Sequence, residues 1–280
     1  MIFQAGYSEK VWNEDVWAAG DDYAFVLDGA SGLGSHNRMA PMSDACWLVR
    51  SLKNWLLLHL HEDRSLEDII RDGLKQLSQE YGECTGLESP SCTISCIRIR
   101  KGRLEYYVLG DSLLLIETED RLYSFCDEAV EKLDGLVIAR MQELSMEKMK
   151  PFLEMRPYVK DMLQKHRLMK NTPEGYWICD LSGAGLCHAL QGSLPLNEVR
   201  RTALMSDGMM QLREFRRLDN TDFLDLLYRR QSRCFPLLME LQEEDVRCRV
   251  LPRLKKRDDT TLVLWTPPVQ TREEDEPVRL

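Results

Sequence analysis

Long apolar runs are missing from this 280-residue chain, and so is any excess of positive charge. Its most hydrophobic stretches, such as WLLLHLH at 55–61, fall far short of the roughly 20 apolar residues that a membrane helix needs. Lys and Arg number 37 against 46 Asp and Glu, a net charge of -9, and a surface of that sign does not draw in nucleic acid or anionic lipid. Neither is expected as a partner. Histidine is scarce, with five scattered copies and no H-E-x-x-H pair, which excludes a zinc-protease centre. Ser31 and Ser206 lack the G-x-S-x-G setting of a hydrolase nucleophile, and no G-K-[ST] follows Gly29 to Gly34, so a P-loop is excluded too. No segment of 20–50 residues repeats, and no low-complexity block occurs.

Cysteine is present in an odd number, nine, and Cys92, Cys96 and Cys179 lie inside apolar strand-like runs. Met1-Ile2-Phe3-Gln4 does not open a charged region followed by an apolar one, so reduced thiols and a cytoplasmic location are expected. Cys92 and Cys96 face one side of a strand, and no second pair follows at zinc spacing. They read as core thiols.

What is present is enough for a real core: 44% hydrophobic residues and six Trp in a length that suits one large domain. Residues 1–30 carry three strand-like runs, MIFQAGY, DVWAAG and DYAFVLDG. From about Ala40 to His61 the period becomes helical, and Ser65 with Asp68 predicts a capping box opening a second helix to about Tyr81. The runs SCTISCIRI, RLEYYVL, SLLLIET and RLYSFC are separated only by Lys101-Gly102, Gly110-Asp111 and Glu119-Asp120, which permits only antiparallel hairpins. Residues 128–168 are helical in composition, rich in Met and charge, and interrupted by Pro151 and Pro157. Strand-like GYWIC and RTALMS, helical segments to about Arg249 and a last strand to Trp265 complete the pattern. Antiparallel clusters separated by helix pairs exclude a regular parallel α/β sheet and predict an α+β fold, two sheets with helices outside. Residues 1–266 read as one domain in which 128–168 is an insertion or flap, and the acidic 267–280 reads as a mobile tail.

Three apolar runs stop at an aspartate beside a glycine: YAFVLDG at Asp28, YYVLGDS at Asp111 and TALMSDG at Asp207. A fourth run, DDTTLVLW, opens with Asp258 and Asp259. A single D-G is by default a turn. Four carboxylates at the edges of apolar strands are costly to bury unless a cation neutralises them, and an all-oxygen cluster suits magnesium or manganese.

Together with Asn13-Glu14-Asp15 and SCTIS, these motifs in this order resemble the type 2C metal-dependent serine/threonine protein phosphatases, in the pattern of a bacterial member. The likeness covers roughly residues 6–34, 91–116 and 201–265. It implies a four-layer α-β-β-α sandwich of two antiparallel sheets. It also implies hydrolysis of phosphoserine and phosphothreonine in proteins by a water bridging two divalent ions, manganese or magnesium, with a third held more weakly. On this resemblance Asp28 bridges two metals with the backbone carbonyl of Gly29 on one of them, and Asp207 and Asp258 hold the other. Glu14 and Asp15 help to hold metal and waters, and Asp111 lies near the third. Glycines 29, 32 and 34 allow close backbone approach. The implied partners are a phosphorylated protein and the serine/threonine kinase that the enzyme opposes in signalling; the oligomeric state is left open.

Two departures qualify the likeness. Bacterial members carry an arginine shortly before the N-E-D asparagine to hold substrate phosphate, where this chain has Lys10. A lysine holds phosphate as a point charge, and Lys10 reads equally as a solvated turn residue. The last element is Asp258-Asp259 where the family often has Asp-Asn, and a one-residue slip would exchange their roles. His36, soon after the glycine loop, reads as a loop residue or a proton donor. Two other functions stay open: a non-catalytic module with the phosphatase fold, whose signature would be loss of Asp28 or Asp207, and a hydrolase of small phosphoesters.

Overall fold

Neighbouring residues of β10 (Val199–Met205) and β11 (Thr260–Trp265) point to opposite faces, and both faces are apolar. Leu204, Val263 and Trp265 pack inward, while Ala203, Met205, Leu262 and Leu264 pack outward. Such strands must be covered on both sides, which calls for more than two layers. The computed structural model describes residues 1–30, 37–83 and 89–268, and it supplies them.

The first sheet runs β1 (Ile2–Tyr7), β11, β10, β6 (Leu113–Thr118), β7 (Leu122–Phe125). The second runs β2 (Asp15–Ala19), β3 (Tyr23–Ala30), β4 (Ser91–Arg100), β5 (Arg103–Leu109), β9 (Leu190–Pro195), with the two-residue β8 (Cys179–Asp180) beside β4. All pairings of these strands are antiparallel. Between the sheets lie Ala24, Val26, Ile97, Leu104 and Val108 against Leu114, Ile116, Leu204, Val263 and Trp265. Helices α1 (Asp44–His59) and α2 (Leu66–Tyr81) cover the second sheet through Leu48, Leu52, Leu56, Ile70 and Leu74. The first sheet is covered by α5 (Asp207–Arg216), α6 (Asn220–Arg230) and α7 (Cys234–Glu244) through Met209, Leu212, Phe223, Leu227 and Leu238. This is the four-layer sandwich of the sequence reading.

Helix α2 begins at its expected capping box: Ser65 Oγ accepts from the Asp68 N–H at 3.0 Å and donates to the Asp68 carboxylate at 2.6 Å. Helix α1 starts at Asp44, later than the apolar pattern alone gives, because Ser43 caps it by accepting from the Cys46 N–H. One expectation is corrected and one strand is new. GYWIC contracts to β8, since its aromatics serve packing instead; Trp177 stacks on His188 with ring centroids 3.5 Å apart. LQGSLP, unremarked in the sequence, forms β9, an edge strand that tolerates Gly192 and Pro195.

Residues 128–168 fold as α3 (Ala129–Lys148), a 3-10 segment (Phe152–Val159) that begins after Pro151, and α4 (Lys160–Leu168). They have a small core of their own, Val137, Met141, Leu144, Met155 and Val159, which Leu254 joins. No helix among the described residues is long and apolar enough to cross a membrane. Eight cysteines of the described residues are free thiols, and Cys92 and Cys96 are fully buried in the core.

Candidate active site

Register gathers the acids. In the second sheet the start of β2 faces the end of β3, so Asp15 is the direct partner of Asp28. In the first sheet Met205, at the end of β10, pairs with Leu113 near the start of β6 and with Leu262 near the start of β11. Asp111, Asp207 and Asp258 lie just beyond those ends, on one edge of that sheet. Polar contacts join the two edges: Asp15 Oδ2 accepts from Ser206 Oγ at 2.7 Å and from Thr261 Oγ1 at 2.8 Å. Ser206 is the N-cap residue of α5 but makes no side-chain capping bond; its hydroxyl serves Asp15 instead, forgoing a contact worth about 1 kcal/mol.

Two glycines make the close packing possible. A Cβ on Gly29 would stand 2.7 Å from the Glu14 carbonyl oxygen, and one on Gly208 would stand 2.1 Å from the Asp259 carbonyl oxygen. Any side chain at either place would drive Asp28 away from Asp15, or Asp207 away from the Asp258-Asp259 segment. Gly32, Gly34, Ser31 and His36 lie outside the described residues.

Glu14 and Asp15 are buried, whereas Asp28, Asp111, Asp207 and Asp258 are half-buried. Burial, then the charges of Asp15, Asp207, Asp111 and Asp258, hold the Asp28 carboxyl well above its ordinary range. Asp207 is likewise well above it, from burial first and then the charges of Asp258 and Asp111. Asp15 is pushed up to about 7, chiefly by burial, against the lowering effect of its bonds to Ser206 and Thr261. Asp111 is pushed up to about 6 by burial, with Asp134, Asp127 and Asp258 adding to it. Four acids that resist ionisation in one another's company form a site that wants positive charge.

Two ammonium groups supply part of it. Lys10 Nζ lies 2.7 Å from Glu14 and 2.9 Å from Asp259, with Asp258 at 3.9 Å, and its side chain is 40% exposed. Burial lowers its pKa, but the bonds from Glu14 and Asp259 outweigh that and raise it. Lys255 Nζ contacts both carboxylate oxygens of Asp258, at 2.6 and 2.9 Å. The two adjacent aspartates therefore face different ways. Asp258 faces the acid cluster, while Asp259 accepts from Lys10, Ser8 Oγ and the Glu14 N–H.

The donor set fits a hard divalent cation: every acid at the edge offers oxygen, and the buried Asp15 Oδ1 has no hydrogen-bond partner. Among the described residues no three His, Cys, Asp or Glu side chains already close on a single point. Lysines already occupy part of the cluster, Lys10 on Glu14 and Asp259 and Lys255 on Asp258. The structure thus brings together all the sequence-predicted acids, with Lys10 on their border. The sequence reading missed Lys255, Thr261 and Asp134, and it noticed Ser206 only to dismiss it as a nucleophile. Lys255 stands three residues before Asp258, a spacing that could have marked it.

No curated protein matches the chain in sequence. Its fold is similar to the serine/threonine phosphatase PstP/Ppp of Mycobacterium tuberculosis, at 17% identity over 95% of this chain and 98% of that one, with a TM-score of 0.53. A serine/threonine phosphatase of S. agalactiae gives 14% identity over 96% and 99%, with a TM-score of 0.54. MsPP, a PPM Ser-Thr phosphatase of Mycobacterium smegmatis solved with cacodylate, gives 16% identity over 96% and 98%, with a TM-score of 0.51. At such identities these likenesses establish the shared fold. The sequence itself matches the protein phosphatase 2C family over residues 7–242, a span that contains the N-E-D, D-G, G-D-S and S-D-G elements and stops short of Asp258. The chain belongs to the protein phosphatase 2C family of protein serine/threonine phosphatases.

Proposed function

We propose that this chain removes phosphate from phosphoserine and phosphothreonine in proteins, using two divalent ions, manganese or magnesium, with a third held more weakly near Asp111. The observation that carries the reading is the convergence of Asp15, Asp28, Asp111, Asp207 and Asp258 from two sheets onto one edge, where burial and neighbouring carboxylates hold the first four above their ordinary range. When bound, the cations would supply a water of lowered pKa and neutralise charge growing on the phosphoryl oxygens. Asp28, with the carbonyl of Gly29, Asp207 and Asp258 would hold them, and Glu14 and Asp15 would complete the shell. Ser206 and Thr261 fix one oxygen of Asp15 and leave the other available. Lys10 keeps Glu14 and Asp259 in place and, on its exposed side, offers the phosphoryl group a point charge. Residues 1–266 work here as one domain, with 128–168 as its flap. The free thiols suit the cytoplasm, where the enzyme would oppose a serine/threonine kinase in signalling.

The purified protein is expected to hydrolyse an aryl phosphate with manganese and to lose that activity in chelator, because no side chain here serves as the nucleophile. Phosphothreonine peptides should be better substrates than phosphotyrosine ones. Full turnover in excess chelator, or a clear preference for phosphotyrosine, would overturn the reading.

Lys10→Ala separates two roles. If the ammonium meets substrate phosphate, KM for a phosphopeptide rises by about tenfold while kcat changes less. If Lys10 only holds Glu14 and Asp259, kcat falls and KM stays put.

A further inference from the structure

Lys255 lies in the segment between α7 and β11, which has no regular structure yet is firmly built. The Asp245 carboxylate accepts the backbone N–H groups of Arg249, Val250 and Leu251 at 2.7 to 3.0 Å, and it pairs with the buried Arg253 at 2.9 Å. The next residue, Leu254, leaves this unit and packs on the core of the 128–168 insertion, as Met162 and Leu163 of the insertion do. Its carbonyl accepts from Arg156 Nη1 of that insertion at 3.3 Å. Lys255 follows directly, with its ammonium on both oxygens of Asp258. The insertion therefore grips the residue that aims this lysine.

As a contribution to folding, a lysine–aspartate pair with the lysine side chain 41% exposed is worth little. Its weight lies elsewhere, because Asp258 has a second claimant. We propose that Lys255 is a tethered counter-ion that the insertion holds on Asp258, and that it must yield when a divalent cation binds. This rests on the metal-centre reading above. The insertion then sets the metal affinity of the site through Leu254 and Lys255, without contributing a metal ligand. An ammonium at Asp258 both competes for its oxygens and repels an incoming cation, and against a divalent ion about 4 Å away the repulsion alone is worth at least about a factor of ten in affinity, even at the dielectric of water.

Manganese titration calorimetry on the full chain tests this with four proteins: wild type, Lys255→Met, Leu254→Ala and the double variant. Lys255→Met should bind manganese about tenfold more tightly. Its melting temperature in chelator should stay close to that of the wild type, because the half-exposed pair adds little to folding. Leu254→Ala should tighten binding by a smaller factor in the presence of Lys255 and by nothing in the Lys255→Met background. Unchanged or weaker manganese binding in Lys255→Met would overturn the counter-ion role. An effect of Leu254→Ala that persists undiminished without Lys255 would overturn the tether. Lys255→Met lies at a half-exposed position, so it stays informative even where Leu254→Ala fails to fold. A wild-type protein that binds no manganese would instead reject the metal centre itself.

Discussion

Asp207→Asn should cut metal-dependent turnover on the order of a thousandfold, while the metal-free protein remains folded and melts at the same temperature or higher. The substitution keeps the size of the side chain and removes the charge that a cation needs. The sign of the stability change is set by two opposed effects. Asp207 opens α5, where a negative charge is worth about 0.3–1 kcal/mol at the helix N-terminus. Against that stand its burial and the charges of Asp258 and Asp111, which together hold its carboxyl well above the ordinary range. Burial and like charge both favour an uncharged side chain here and oppose the helix term, so the asparagine should be neutral or stabilising without metal. Were Asp207 a structural turn residue, the variant would melt lower and keep its turnover per folded molecule. Melting in chelator, manganese calorimetry and turnover measured together decide it; near-normal turnover with intact manganese binding would remove Asp207 from the site.

In chelator, stability should fall as pH rises from about 4 to about 7, the reverse of the usual carboxylate behaviour. Asp15 carries a proton up to about pH 7 in the folded chain, against an ordinary value of 3.8. Between those values the folded state holds a proton that the unfolded state has released. The stabilisation is complete below about 4 and is lost by about 7, with Asp111 acting over the range to about 6 and Asp28 and Asp207 adding in the same direction. His166, lowered by its burial, works the other way, but Asp134, raised to about 6, and Glu214, also raised, join the four acids. We expect the melting temperature in chelator to be on the order of 5–10 °C lower at pH 8 than at pH 5.5. Saturating manganese should invert the trend, since cations bind the deprotonated acids. A melting temperature in chelator that holds level or rises over this range would show that the carboxylates are not as crowded as the structure places them.

Local signals survived the passage from sequence to structure, and long-range ones did not. The capping box at Ser65 and Asp68 and the Lys101-Gly102 hairpin are complete within a few residues, so they were legible at once. The acids were legible because each ends or opens an apolar run, and a strand edge is visible in the alternation of its residues. Strand β9 was hidden, since Gly192 and Pro195 are poor strand formers and only pairing with β5 makes the segment extended. The hydroxyls of Ser206 and Thr261 are ordinary until a third segment brings Asp15 between them. Lys255 was hidden for the same reason: its aim depends on Leu254 packing against an insertion far earlier in the chain.

Strand β1 touches its sheet only through β11, and the loop before β11 carries Asp258. On the ribosome, β1 has no neighbour in its own sheet until β11, some 250 residues later, has followed. At the usual pace of about 5–20 residues per second, that wait lasts tens of seconds. Through that interval the nascent chain can fold α1 and α2 over β2, β3 and β4, yet it lacks the segment that carries Asp258. On the metal-centre reading proposed above, a chain that still lacks β11 also lacks one of the acids that would hold the cations.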